Sequence, residues 1–341
     1  MSGIGTKTQI VYIGNTPMGV MDAPSADEIR PEEAFEILGH ETRLSILHAL
    51  LEEQEFNSPG VYPETPVSFT AIRKRVGMDD GSQFNYHLKQ LVGRFVHQTE
   101  EGYVLRRPGH QIISAVLSGA LTELDVLDEV PIVDPCPLCE GQVVLELGTE
   151  RMLDWLISRC TSCAGGWRIP GLPSGVLMLV DPLEPVGMRV RNPDEMYRTL
   201  VTRTVADFSL VAKGICPKCS GPIDTAPLIC EEHAVAPGEV CSNCDTIFQV
   251  RYVNQCDVCG HLWHASSDRH FVDHPTVHAF YHDHGYDPFG HDWLKIQTET
   301  IADQTIDRGE ALTVETDIEV DGDRLTVILD ADGSIVHIEE R

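Results

Sequence analysis

Lysine is scarce in this sequence of 341 residues, and positive charge in general is outnumbered. Only six of the 25 basic residues are lysines, against 53 Asp and Glu, so the formal net charge is −28. Such a surface stays hydrated in concentrated salt, where screening over about 3 Å at 1 M weakens self-repulsion. The composition favours a halophilic cytoplasm, and the alternative is an acidic protein that binds partners. DNA binding then depends on the local charge balance, not on the net charge.

Long apolar runs are also missing. No stretch reaches the roughly 18 uninterrupted apolar residues of a membrane-spanning helix. The first residues, MSGIGTKTQIVYIG, lack the basic start and the apolar segment of a signal peptide. We therefore expect a soluble, cytoplasmic protein with no membrane partner. Phosphate-binding glycine loops, nucleophile elbows and HExxH motifs are absent as well, so we do not expect an enzyme.

The eleven cysteines are an odd number for disulfides, and nearly all of them stand in CxxC pairs. In a reducing compartment this pattern indicates metal binding. Zinc takes four tetrahedral N or S ligands, and two CxxC turns joined by a hairpin supply them. The first predicted set is Cys136, Cys139, Cys160 and Cys163. This spacing is typical of a zinc ribbon.

The second cysteine block allows two pairings of its four short motifs. An internal repeat relates CxxCxxxW at Cys160 to the same spacing at Cys256, and CPLCEGQ to CPKCSGP. One pairing therefore joins Cys216, Cys219, Cys256 and Cys259, and leaves Cys230, His233, Cys241 and Cys244 as a third site at the hairpin tip. The other joins 216/219 to 241/244 and 230/233 to 256/259. Either way, twelve ligands predict three Zn²⁺ ions per chain, structural because full shells leave no open position. Redox chemistry at a CxxC pair is the alternative.

The region before the cysteines has the periodicity of three helices followed by a hairpin. The third helix is predicted to begin near Asp80 or Ser82 and to bury Phe84, Leu88 and Leu91. Short strands around TEEG and one more helix follow. This order predicts a helix-turn-helix with a wing, in which the polar N-terminal face of the third helix lies in the DNA major groove.

Polar and basic side chains cluster around this third helix. The segment from Phe69 to Arg107 contains seven basic and four acidic residues, which gives a local net charge of +3. Gln and Asn can pair with adenine, whereas Ser, Tyr, Lys and Arg can reach phosphates. The predicted DNA-binding residues are Arg73, Lys74, Arg75, Ser82, Gln83, Asn85, Tyr86, His87, Lys89, Arg94, Arg106 and Arg107. The acidic wing tip, Glu100 and Glu101, favours the alternative that the domain contacts only protein.

Four segments carry a family resemblance: EILGHETRLSILHALL, SFTAIRKRVG, GSQFNYHLKQLVGRFV and GYVLRRPG. Over roughly residues 33–118 they resemble the winged helix of the ArsR family, as elaborated in haloarchaeal transcription regulators. The resemblance implies a homodimer that binds palindromic double-stranded DNA. The metal-sensing cysteines of some members have no counterpart near Leu44–Leu50 or on the third helix, so this domain is not expected to sense metal.

The expected fold is therefore an α+β multidomain chain: a winged helix-turn-helix, zinc ribbons, and a small antiparallel β segment. The expected boundaries are a flexible arm (1–28), the DNA-binding domain (29–130), zinc ribbon I with a helix (131–213), zinc ribbon II with a His-rich helix (214–295) and an acidic β tail (296–341). The histidines of HPTVHAFYHDHG are expected at a helix end or surface, and a further metal site is the alternative. We expect a transcription regulator whose ribbons serve sensing, dimerisation or protein contact. The alternative is an interaction module of the transcription apparatus.

Overall fold

The computed structural model describes residues 31–54, 65–124, 127–148, 155–236, 238–290 and 293–341. The expected arm at 1–28 lies outside the described residues. The described chain forms two compact units. One holds the residues up to Leu124 together with Glu184–Val186, and the other holds the remainder.

The first unit is built from helices and one β-hairpin. Its elements are α1 (Pro31–Leu38), α2 (Glu41–Glu53), α3 (Phe69–Val76), α4 (Gly81–Leu91), β1 (Val96–Gln98), β2 (Tyr103–Leu105) and α5 (Arg107–Ser118). β1 and β2 pair antiparallel around the TEEG turn, as predicted. Val67, just before α3, also pairs with Tyr103 through two 2.9 Å backbone hydrogen bonds, which ties the start of α3 to the hairpin.

Local capping chemistry explains where α3 and α4 begin and end. The Ser68 side chain accepts a hydrogen bond from a backbone N–H of the first turn of α3. The Asp80 carboxylate accepts hydrogen bonds from the backbone N–H groups of Ser82 and Gln83, which confirms the predicted start of α4. Gly77 adopts a left-handed conformation that ends α3, as its sequence predicts.

One hydrophobic core holds the first unit together. Ile46, Leu47 and Leu50 of α2 are fully buried against Phe84 and Leu88 of α4. The Phe84 ring packs edge-on against Phe69, with the ring centroids 4.9 Å apart. The buried stripe predicted for α4 is therefore confirmed, and it fixes which face of this helix is left exposed.

The second unit contains three antiparallel sheets. The first sheet has the order β3-β4-β5-β6 and the second β7-β8-β9, while the third is a meander of β10 to β13. The strands are β3 (Val130–Pro131), β4 (Val143–Leu147), β5 (Leu156–Cys160), β6 (Val176–Val180), β7 (Ile223–Ile229), β8 (Val250–Cys256), β9 (Leu262–Ser266), β10 (Ile301–Arg308), β11 (Leu312–Val320), β12 (Asp323–Asp330) and β13 (Ile335–Glu340). The short helix α6 (Pro185–Arg189) is divided between the two units, and the helices of the second unit are α7 (Pro193–Val211), α8 (Pro275–Asp283) and α9 (Trp293–Thr300). A short 3₁₀ turn covers Ser267–His270.

The C-terminal sheet shares a core with the preceding region. Val314, Leu325 and Val327 are fully buried in one cluster with Tyr252 of β8 and Phe280 of α8. The Tyr252 hydroxyl donates a 2.9 Å hydrogen bond to a backbone carbonyl at the end of β12. The buried side chains of the expected β tail thus face β8 and α8. β10 lies within the β tail expected at 296–341, but the strand itself was not located from sequence, because its residues IADQTIDR are mostly polar and it follows α9 without a loop.

The long helix α7 begins with a reciprocal cap. The Asn192 side chain accepts a hydrogen bond from the backbone N–H of Glu195, and the Glu195 carboxylate accepts one from the backbone N–H of Asn192. Among the described residues, α7 and the other helices are all too short or too polar to cross a membrane.

Replacing Phe84 with alanine tests the first core. We expect Phe84→Ala to lower the free energy of unfolding of the first unit by about 3–5 kcal/mol, because a fully buried ring leaves a cavity. Hydrogen exchange of the α2 amides reports this unit alone. Tyr86→Ala is the matched control on the same helix, since Tyr86 is 56% exposed, and a loss equal to that of Phe84→Ala would contradict the core assignment.

Candidate metal centres and nucleic-acid interface

The first cysteine set converges where β4 and β5 meet their flanking turns. The Sγ atoms of Cys136 and Cys163 lie 3.7 Å apart, and those of Cys139 and Cys160 lie 3.5 Å apart. All four sulfur atoms lie within 4.8 Å of one another. The structure therefore brings together the four ligands that their spacing predicts.

The second set resolves the pairing that the sequence leaves open. Cys216 and Cys219, before β7, meet Cys256 and Cys259 at the end of β8, with Sγ–Sγ distances of 3.7 Å and 3.4 Å across the pairs. This is the pairing that the internal repeat predicts. The alternative, which joins 216/219 to 241/244, is wrong because β7 and β8 pair in register from Ile223 to Cys256 and bring these two ends together.

The third set contains the one histidine ligand. Cys230, His233, Cys241 and Cys244 place four ligand atoms within 4.8 Å of one another. The Nδ1 atom of His233 lies 3.3 Å from the Cys244 Sγ, and its Nε2 lies 3.2 Å from the carbonyl oxygen of Ile247. A proton on Nε2 donated to that carbonyl leaves Nδ1 free to bind a metal, and burial lowers the pKa of His233, which favours the neutral ring.

Two of the cysteine turns form the same backbone hydrogen bond. The backbone N–H of Cys136 donates to the carbonyl oxygen of Gly141 at 2.8 Å, and that of Cys216 donates to the carbonyl oxygen of Gly221 at 2.9 Å. A Cβ on Gly141 would lie 2.7 Å from the Ser162 side chain, and one on Gly221 would lie 2.6 Å from Val258. Each glycine therefore lets the facing turn approach. The shared CPxCxG pattern was visible in the sequence, whereas this reason for its glycine was not.

Without a cation, the thiols of one cluster cannot all ionise readily at neutral pH. Burial raises the pKa of Cys136 to about 11 and that of Cys244 to about 12. In the second cluster, a hydrogen bond from the backbone N–H of Cys259 is the main reason that the pKa of Cys256 falls to about 6. In that cluster the Cys256 thiolate is stabilised, whereas the pKa values of Cys216 and Cys219 are raised. A divalent cation would stabilise all the thiolates of a cluster together.

The geometry fits a tetrahedral metal ion. Zn–S bonds of about 2.3 Å give sulfur–sulfur edges of about 3.8 Å, close to the 3.4–3.7 Å across the first two clusters. A disulfide needs about 2.05 Å, and all eleven cysteines are free thiols. The three clusters are therefore compatible with structural zinc.

The histidine-rich helix forms no further cluster of this kind in the described part of the chain. His274 caps α8, where its side chain accepts a hydrogen bond from the backbone N–H of Thr276. His278 and His282 are exposed on that helix. These three histidines therefore lie at a helix end or on the surface, as expected.

The exposed face of α4 carries most of the residues predicted to contact DNA. Ser82, Gln83, Tyr86 and Lys89 are exposed, and Asn85 is half-buried. The prediction for His87 is wrong: its side chain is 4% exposed and its ring packs against His40, with the centroids 4.2 Å apart. It follows Phe84 by three residues and precedes Leu91 by four, which puts it on the buried side of the helix.

The predicted cations divide into paired and unpaired groups. Arg75 bonds Glu52 at 2.9 Å, and Arg94 lies 3.4 Å from Glu33. Arg106 donates to the carbonyl oxygen of Gly93 and remains exposed. Within the described ranges no ion pair is found for the others, Arg73, Lys74, Lys89 and Arg107. The unpaired cations are the stronger candidates for phosphate contact.

Comparison with protein families assigns both parts of the chain. Residues 134–335 match a domain of unknown function, DUF7351. The chain belongs to the DUF7351 family. Residues 31–116, which cover most of the first unit, match a second domain of unknown function, DUF7347. No curated protein and no solved structure matches this chain. The DUF7351 region contains all twelve metal-ligand candidates.

Metal analysis tests the ligand set of the DUF7351 region. We expect three metal ions per chain, and we expect Cys244→Ser to reduce this number to two because it removes one of four ligands in a single cluster. Inductively coupled plasma mass spectrometry measures both. His278→Ala is the control and keeps three ions, since His278 lies outside the clusters. Two or fewer ions in the unmodified chain would contradict the twelve-ligand set.

Proposed function

We propose that this protein is a DNA-binding transcription regulator that uses α4 as its recognition helix. The observation that carries the proposal is the division of α4 into two faces. Phe84, Leu88 and Leu91 anchor one face in the core, while Gln83 and its polar neighbours near the N-terminal end stay accessible. A helix held in this way can enter a major groove without disturbing its own packing.

The surroundings of α4 support a winged helix. α3 ends at Gly77 and α4 begins four residues later, so the two helices are joined by a short turn. The β1–β2 hairpin follows α4 and takes the position of a wing. The order of elements agrees with the ArsR resemblance of the same residues, which extends over the DUF7347 match.

The charge distribution also supports DNA contact. The chain carries a net charge of −28, yet Arg73, Lys74 and Lys89 of α3 and α4 lack carboxylate partners among the described residues. Phosphate neutralisation by such cations contributes most of the sequence-independent affinity for DNA. A protein that repels DNA elsewhere is thereby restricted to binding through this surface.

We further propose that the three metal ions are zinc and are structural. Each cluster offers four protein ligands, three or four of them cysteine, which completes a tetrahedral shell. No position is then left for a water or substrate. The zinc-bound DUF7351 region serves as the part through which a signal, a second subunit or a protein partner acts.

Binding to DNA from the protein's own promoter region tests the recognition helix. We expect Gln83→Ala with Asn85→Ala to weaken specific binding about tenfold or more in a gel-shift titration, because each side chain can pair with a base edge. The affinity of the unmodified chain should also fall as salt rises. Gln90→Ala is the matched control, an exposed glutamine at the far end of α4. Unchanged binding by the double variant would contradict the assignment of α4.

A protein-contact role has one observation in its favour. Glu100 and Glu101 at the tip of the hairpin are both exposed, and a wing tip of this charge repels phosphate. If the gel shift shows no salt-dependent binding, the first unit is an interaction module of the transcription apparatus.

Exposed apolar residues in the first unit support a homodimer. Phe35 of α1 is 74% exposed, Leu117 of α5 is 43% exposed and Leu121 after it is 75% exposed. Large exposed apolar side chains of this kind are covered in many dimers. The ArsR resemblance implies the same assembly.

Light scattering after size exclusion measures the assembly. We expect a dimer, and we expect Leu117→Glu to shift it towards monomer at micromolar concentration because a charge would be buried at the interface. Leu210→Glu is the matched control, since Leu210 of α7 is similarly exposed but lies in the other unit. A monomeric unmodified chain, or an equal effect of the control, would contradict this interface.

A further inference from the structure

The second unit contains a cavity of about 710 Å³ that is partly open to solvent. Its walls come from β6, the middle of α7, β9 and the segment Trp167–Pro170, and the third metal cluster contributes Cys244. Cavities that bind small organic molecules fall in this size range and are mostly apolar with a few polar groups. The cavity lies within the DUF7351 match and is separate from α4.

All four tryptophans of the chain lie on the wall of this cavity. They are Trp155, Trp167, Trp263 and Trp293. Three of them are only half-buried, although Trp263 is buried. Aromatic residues make up only 6% of the sequence, so this is a strong local concentration. Half-buried indole faces around one cavity provide stacking surface for a flat apolar ligand.

Arg251 supplies a positive charge beside these rings that has no ion-pair partner among the described residues. Its guanidinium carbon lies 5.6 Å from the centre of the Trp167 ring, and its Nε is buried without a hydrogen-bond partner. No carboxylate of the described residues forms an ion pair with it. Burial lowers the pKa of Arg251, whereas the nearby Cys244, Cys230 and Asp245 act in the opposite direction. An anion in the cavity would satisfy the Arg251 guanidinium.

Most other charged groups on the wall already have partners. Arg168 bonds Asp245 at 3.1 Å, and Arg269 bonds the buried Asp268 at 2.7 Å. Asp181 pairs with Lys218 at 2.9 Å, and Arg203 donates to the backbone carbonyl oxygen of Asp181. Arg203, whose Nε is also buried without a partner, adds to the positive side, whereas Asp207 adds one carboxyl.

We propose that this cavity binds a small aromatic anion, with its ring against the tryptophans and its carboxylate or sulfonate on Arg251. The site lies beyond the proposed DNA contact and does not depend on it. It gives the DUF7351 region a means of detecting an organic acid. Arg251 discriminates by charge and the rings discriminate by shape.

A competing explanation assigns Arg251 to the third metal cluster. Cys244 and Cys230 lie close enough to favour its charge, so it could serve only as a counter-ion for their thiolates. The two explanations differ in what they predict for ligands. A counter-ion would give the cavity no preference for an anion over a neutral molecule of the same shape.

Two dyes of the same ring system separate these explanations. 8-Anilinonaphthalene-1-sulfonate carries a sulfonate, and N-phenyl-1-naphthylamine is the same molecule without it. Calorimetry on the metal-loaded full chain is expected to show one sulfonate dye bound per chain, about tenfold or more tighter than the neutral dye. Quenching of the tryptophan emission locates the dye, because every tryptophan is on the wall.

Three variants assign the binding to named side chains. Arg251→Met should weaken the sulfonate dye about tenfold and leave the neutral dye unchanged, while Arg251→Lys should retain most of the preference. Arg168→Met is the matched control, because Arg168 also lines the cavity but is paired and more than half exposed. Leu262→Tyr narrows the cavity from its rim, since Leu262 is 41% exposed, and should weaken both dyes.

The outcomes decide the proposal. Equal affinity for the two dyes, no binding, or an equal loss in Arg168→Met would overturn it. If Arg251→Met also loses a metal ion, its effect on the dye is not specific to the cavity. The proposal is then judged from the dye preference of the unmodified chain and from the effect of Leu262→Tyr. Binding that leaves the tryptophan emission unchanged places the dye elsewhere and likewise overturns the cavity site.

Discussion

Convergence of cysteine side chains is the constraint on which the second unit depends. Its first two sheets have four and three strands, respectively, of seven residues or fewer, which bury little apolar surface by themselves. Each sheet ends at turns whose sulfur atoms lie within 4.8 Å of one another. A divalent cation bound at such a point would tie two strands that local contacts alone hold weakly. Metal binding by these clusters would therefore be coupled to the folding of this region.

The acidic composition acts differently in the two units. In the first unit, a few cations on α3 and α4 without ion-pair partners lie in a region with a local balance of +3, within a chain whose net charge is −28. In the second, Arg251 has no ion-pair partner among the described residues and lies beside Trp167. Excess negative charge keeps the outer surface hydrated, so the positive groups without ion-pair partners are the candidate positions for the two anion contacts proposed above.

Much of the local structure could be predicted from sequence, because it depends on neighbours along the chain. Asp80 and Gly77 follow from capping and left-handed backbone preferences, and the metal clusters follow from ligand spacing. The internal repeat also favoured the right pairing for Cys216. The burial of His87 was missed because histidine occurs on both the buried and the exposed faces of helices. Its contact with His40 joins residues 47 positions apart, which no local pattern reveals.

Long-range packing was the part that could not be predicted. β10 was missed because its polar residues contribute little to the core, and its position is set by pairing with β11. The cavity was also invisible, since its tryptophans are distributed over 139 positions of the sequence, from Trp155 to Trp293, and no local pattern connects them. Only the ligand clusters carried long-range information in the sequence, because metal binding requires distant residues in fixed combinations.

Strand β8 connects these features. It begins at Val250, near the third cluster, where the backbone N–H of Cys230 donates to the carbonyl oxygen of Gln249, and it ends at Cys256 in the second cluster. Between them, Tyr252 points into the core and bonds the last strand but one. A slip of one residue would turn Tyr252 outward and pull both ends away from their sulfur partners. The two clusters thus lock the register of β8 from both ends, and with it the alignment of the C-terminal sheet.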